Sequence, residues 1–173
     1  EDESFEANVA GYVSPPDSTN EITFMKALLL PALVATALTA SASDWPQWRG
    51  ADRTDISKET GLLKSWPAEG PKLVWINKDV GLGYSGYAVT GGKLFTLGLR
   101  GDTELLIAVD ATSGKELWAT PVGPILKNGW GDGPRGTPTV SGDTVFALSG
   151  QGTVIAAKVG DGKEIWKAED RKS

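Results

Sequence analysis

Three tryptophans close three similar segments: KLVW at Trp75, DATSGKELW at Trp118 and VGDGKEIW at Trp166. They are 43 and 48 residues apart. Self-similarity at a period of about 40–50 residues marks a chain built from repeated sheet units, each too small to bury both of its faces alone. The two fuller units align residue by residue. Val89, Gly91, Phe95 and Leu97 match Val140, Gly142, Phe146 and Leu148 at an offset of 51, and Ser113 to Trp118 match Asp161 to Trp166 at an offset of 48. The three-residue slip falls in a polar turn, where a length change leaves the two faces of each strand in place.

Alternating apolar residues, rich in β-branched and aromatic types and bounded by Gly, Asp and Ser, predict four strands per unit. The first unit (about 85–121) has strands at 85–90, 93–99, 104–110 and 115–121. The second (about 136–168) has them at 137–141, 144–149, 154–159 and 163–167. Gly91-Gly92 and Gly142-Asp143 supply the positive φ of tight hairpins. The expected fold is therefore all-β: a β-propeller with four-stranded blades, about two and a half of them present, after a signal-peptide helix. Trp118 and Trp166 are expected to wedge between neighbouring blades. The other use of such rings, a stacking platform for a sugar or cofactor, fits poorly with their recurrence at one repeat position.

The segment AVDATSGKELW closely resembles the tryptophan-docking motif of the pyrroloquinoline-quinone-like (PQQ-like) propellers, through Asp110, Gly114 and Trp118. The second copy, AAKVGDGKEIW, keeps Gly162 and Trp166, with Lys158 in place of the aspartate and Gly160 where the first copy has Thr112. DWPQWRGADRTDIS, residues 44–57, is similar to the start of secreted bacterial members. The resemblance covers residue 44 onward. It implies either a binding scaffold or a quinoprotein dehydrogenase, which would hold PQQ and calcium near the axis and oxidise an alcohol or sugar. A structural module in a larger envelope protein is a third reading. No calcium ligand or base of the dehydrogenase set can be matched in this segment, so no catalytic residue is assigned.

The leading part divides at Met25. Lys26, an apolar run at 27–40 and Ala40-Ser41-Ala42 give the layout of a secretory signal peptide at 25–43. Its core of about 14 residues is too short to favour a membrane span. Residues 1–24 carry six acidic and no basic side chains, which conflicts with a signal's positive start, so they read as an upstream or disordered leader. The expected location is periplasmic or secreted. Residues 44–71 form an entry segment and 72–173 the repeats, with 72–78 as a lone outer strand of a closing blade whose other strands lie beyond the chain. Such a fragment would expose a blade face and dissolve poorly. A closed ring at this period needs roughly 320–400 residues.

Charge and composition narrow the chemistry. The whole chain is −5, but residues 44–173 hold 16 basic and 16 acidic side chains. That balance carries no basic stripe, so a nucleic-acid partner is not expected. Neither His nor Cys occurs, which removes His triads, thiol nucleophiles and zinc–thiolate sites from this segment, and no metal site is assigned. GLGYSG, residues 81–86, fits a dinucleotide fingerprint by letters alone. A strand and hairpin follow it instead of a helix, so its glycines are read as a crossing between blades. The second crossing, residues 121–136, is richer. Its Trp130, Asp132 and Arg135 offer a ring, a carboxylate and a guanidinium to a protein or small-molecule ligand at the channel mouth, with Lys127 and Asn128 as lesser candidates. The plainer reading is a glycine-rich loop pinned by an Asp132–Arg135 pair.

Overall fold

The computed structural model describes residues 43–169. The leader and almost all of the expected signal peptide lie outside them. Eight strands form two four-stranded antiparallel sheets. The first contains β1 (Tyr87–Thr90), β2 (Lys93–Arg100), β3 (Thr103–Asp110) and β4 (Glu116–Pro124), ordered β1-β2-β3-β4. The second contains β5 (Thr139–Ser141), β6 (Thr144–Leu148), β7 (Thr153–Lys158) and β8 (Glu164–Glu169), ordered β5-β6-β7-β8. Among the described residues there is no helix. Consecutive strands joined by short turns make each sheet a meander, the form of a propeller blade.

The blades pack face to face. Period-2 alternation puts Phe95, Leu97, Leu106 and Ala108 on one side of the first sheet, where cross-strand register pairs Phe95 with Ala108 and Leu97 with Leu106. That side meets Val145, Ala147, Ile155 and Ala157 of the second sheet in one buried cluster. At about 25 cal/mol per Å² of apolar area removed from water, this shared core is the main force joining the blades.

Two features of the outer strands recur. Trp118 pairs with Ala108 and Glu116 with Val109, so Leu117 is an extra residue on β4. Trp166 pairs with Ala156 and Glu164 with Ala157, so Ile165 is extra on β8. A bulge thus immediately precedes each tryptophan, and bulges re-aim the side chains beside them. Each indole then meets the Phe of its own blade at the same tilt. Phe95–Trp118 centroids are 5.8 Å apart at 45°, and Phe146–Trp166 centroids 6.1 Å apart at 49°.

Residues 72–78 form no strand ladder among the described residues, where no strand lies beside them to pair with. One expectation is corrected: β4 runs on to Pro124, past the expected end at 121. Val122 is a second bulge on that strand, opposite the step from Glu104 to Leu105, so pairing resumes beyond it at Gly123–Glu104 and Pro124–Thr103.

Candidate functional site

The indoles do more than fill space. Trp118 Nε1 donates to Val159 O at 3.2 Å in the second blade, and Thr120 Oγ1 donates to Gly162 O at 2.6 Å. A Cβ placed on Gly162, which has φ of +72°, would lie 2.5 Å from Trp118 Cε3. The segment before the first blade repeats this contact. Trp75 Nε1 donates to Ala111 O at 3.0 Å, Asn77 Nδ2 donates to Gly114 O at 2.8 Å, and a Cβ on Gly114 (φ +72°) would lie 2.5 Å from Trp75 Cε3. Ala111 and Gly114 are 48 residues before Val159 and Gly162. A ring and the side chain two residues later therefore grip one glycine turn twice over. Residues 72–78, although not a strand, sit on the first blade as β4 sits on the second. Trp166 keeps its blade-internal contact with Phe146 and is 44% exposed.

Asp110 shapes the gripped turn of the first blade. Its Oδ1 accepts from Ser113 Oγ at 2.8 Å, Ser113 N at 2.7 Å and Thr112 N at 3.1 Å. The Ser113 hydroxyl, then the Ser113 amide, hold its carboxyl below the usual aspartate range. In the second blade, with Lys158 at that position, Asp161 Oδ1 accepts from Lys163 N at 3.0 Å instead.

At the opposite ends of the strands, the two crossing segments meet. Tyr84 N donates to Pro134 O at 2.9 Å, Tyr84 Oη to Trp130 O at 3.1 Å, and the Arg135 guanidinium lies 5.3 Å from the Tyr84 ring centroid. Arg135 also donates to Gly131 O at 2.7 Å and Gly133 O at 2.9 Å. Its charge is thus spent on carbonyls and a ring face. The expected Asp132–Arg135 pair is not formed. Asp132 turns toward its own loop, accepting from Asn128 N at 2.9 Å and standing 3.8 Å from Lys127 Nζ. Tyr84 thus links Trp130 to Arg135, while Asp132 closes the 128–132 turn that carries Trp130. Trp130 is left 91% exposed, with the exposed Tyr84 bonded to its carbonyl.

Two residues that the sequence reading passed over hold this face together. Tyr84 lies inside GLGYSG, where the glycines drew attention away from it. Glu104 is the other: a carboxylate with no exposed surface, accepting from Leu126 N at 3.0 Å and Gly150 N at 2.7 Å. One side chain of the first blade thereby fixes both the crossing segment and the β6–β7 turn of the second. Its only sequence signal is a lone acid in the apolar strand TELLIAV.

A family model described as outer membrane protein assembly factor BamB matches residues 48–173. The chain belongs to this family of PQQ-like repeats. Its two sheets are blades of the β-propeller fold. No curated protein matches the chain. Among solved structures it is similar to a europium-containing methanol dehydrogenase, at 28% identity and a TM-score of 0.37, over 48% of this chain and 14% of that one. It is also similar to BamB from Moraxella catarrhalis, at 20% identity and a TM-score of 0.34, over 47% of this chain and 21% of that one. The chain therefore spans about a seventh and a fifth of the length of these structures.

Whether the described residues fit a quinone's metal can be tested on their donors. Calcium takes six to eight oxygens, usually including several carboxylates. Among the described residues no three carboxylate, His or Cys side chains gather around one point. Glu104, the buried acid at this face, has its oxygens committed to two amides. The described residues do not form a calcium site.

Proposed function

We propose that this chain is part of an exported propeller that binds a protein partner through the face carrying Tyr84, Trp130 and Arg135. The observation that carries this reading is the 91% exposure of Trp130 on a loop tied down on every side. Tyr84, Arg135, Asn128 and Glu104 fix the backbone around it. A large ring with only two side-chain torsions, on a fixed backbone, loses little conformational entropy on binding, and Trp, Tyr and Arg are enriched among interface hot spots. The family description, an assembly factor, supports a protein partner over a small molecule. Export rests on the signal-like layout at 25–43. Among the described residues no helix is long and apolar enough to cross a membrane.

The test is site-specific photo-cross-linking in the native cell envelope. A photoreactive residue at Gly129, beside Trp130 and with open space around an added side chain, should give one discrete protein adduct, and the same residue at Gly142, in a hairpin turn at the other end of the strands, should not. Adducts of equal yield from both positions, or none from Gly129, would remove the reading. Mixing the protein with PQQ and calcium and assaying alcohol oxidation addresses the dehydrogenase reading separately.

A further inference from the structure

The entry segment makes a contact that blade packing does not require. Trp45 N donates to Val89 O at 2.7 Å and Val89 N returns to Trp45 O at 2.8 Å. The next carbonyl, Pro46 O, accepts from Val140 N at 2.8 Å. Val89 and Val140 are repeat equivalents, 51 residues apart, on the first strand of each blade. Both N–H groups point away from their own sheets. Two consecutive carbonyls of one segment therefore satisfy the same free-edge amide in two successive blades.

The local chemistry suits that task. Pro46 has no N–H, so nothing is left to satisfy between the two blades. Asp44 Oδ1 accepts from Gly91 N at 3.1 Å in the β1–β2 turn, which places the segment at the end of the strands opposite Tyr84 and Trp130. Downstream, a tight knot anchors it. Gln47 Oε1 accepts from Arg53 Nε at 3.2 Å and Nη2 at 3.1 Å, and Arg49 Nε reaches Asp55 Oδ2 at 2.5 Å. The Trp45 ring lies over Gly50, where a Cβ would come within 2.9 Å. Arg49, Arg53 and Asp55 all hold positive φ, between 56° and 66°. Non-glycine residues in that region persist where the surroundings over-determine them.

We propose that residues 44–46 are an axial clasp. They act as a short built-in strand that ties the inner edges of two blades together and denies those edges to other chains. An exposed strand edge is a template for pairing with a second molecule, and covering it is the usual remedy. The clasp does not depend on the loop-face reading, since the two lie at opposite ends of the blades.

Amide exchange on the whole chain tests it. In the unsubstituted protein the Val89 and Val140 amides should be protected at least a hundredfold, although neither bonds within its own sheet. Exchange at unprotected rates for either valine would overturn the clasp. Trp45→Pro removes the N–H that reaches Val89 and should speed exchange at Val89, Gly91 and Val140 by tenfold or more, leaving Leu106 and Ile155 unchanged. Gly50→Ala, which alters no blade residue, should loosen the same amides by displacing the Trp45 ring. If Gly50→Ala affects only residues 44–50, the clasp is refuted even where Trp45→Pro fails to fold.

Discussion

Gly162→Ala isolates the contact that joins the blades. The new methyl would sit 2.5 Å from Trp118 Cε3, 2.6 Å from Cδ2 and 2.7 Å from Thr120 Oγ1, so the ring and the hydroxyl must both retreat. Three costs follow. Alanine at φ +72° costs about 1–2 kcal/mol. Overpacking a filled site costs about 1–3 kcal/mol. Moving the indole weakens its bond to Val159 O, worth about 1 kcal/mol. The total is about 3–6 kcal/mol. Gly142→Ala is the matched control, because its φ is +55° and no atom lies within 4 Å of the added methyl. It should cost only the backbone share, about 1–2 kcal/mol. Urea unfolding followed by tryptophan fluorescence on both variants gives the difference, expected at about 2–4 kcal/mol. Two variants equally destabilised within about 0.5 kcal/mol would show that the glycine is required only for its turn, and the docking argument would fail.

Other outcomes follow from single contacts. Glu104→Ala leaves two amides without their acceptor and should cost about 2–4 kcal/mol in the same assay, with Leu126 and Gly150 amides exchanging faster. Asp110 should titrate below an ordinary aspartate by NMR, and Ser113→Ala should raise its pKa, since the Ser113 hydroxyl is the largest cause of the shift. A depressed folded-state pKa stabilises above the unfolded value, and that contribution is lost as pH falls through the folded value. Asp110→Asn should therefore flatten the acid side of the stability profile. Trp130→Ala should leave stability within about 0.5 kcal/mol, because its ring buries almost nothing, while abolishing the adduct formed from a photoreactive residue placed at Gly129.

The repeat made much of the fold legible. Alternation and hairpin glycines place the strands to within three residues at each end, since a buried face forces a period of two. The bulges at Leu117 and Ile165 were not legible, because an extra residue looks the same in sequence as an ordinary strand position. Only cross-strand register shows that it re-aims the tryptophan after it. The loop face was read by residue type, which found Trp130 and Arg135 but paired Arg135 with the wrong group. Nearby carbonyls and the Tyr84 ring compete for a guanidinium, and letters do not reveal where backbone oxygens point. Glu104 and the Trp45–Pro46 clasp were missed for a related reason. Their partners are main-chain amides 22 to 94 residues away, and any residue can supply those.

Proton NMR of the intact protein examines the indole grip most directly. Trp118 ring protons should show strong nuclear Overhauser effects to the Gly162 α-protons, which should be shifted upfield by the ring current, and Trp75 should show the same to Gly114. Gly162 and Gly114 α-protons at random-coil shifts, with no cross-peak to either indole, would contradict the proposed joint between blades.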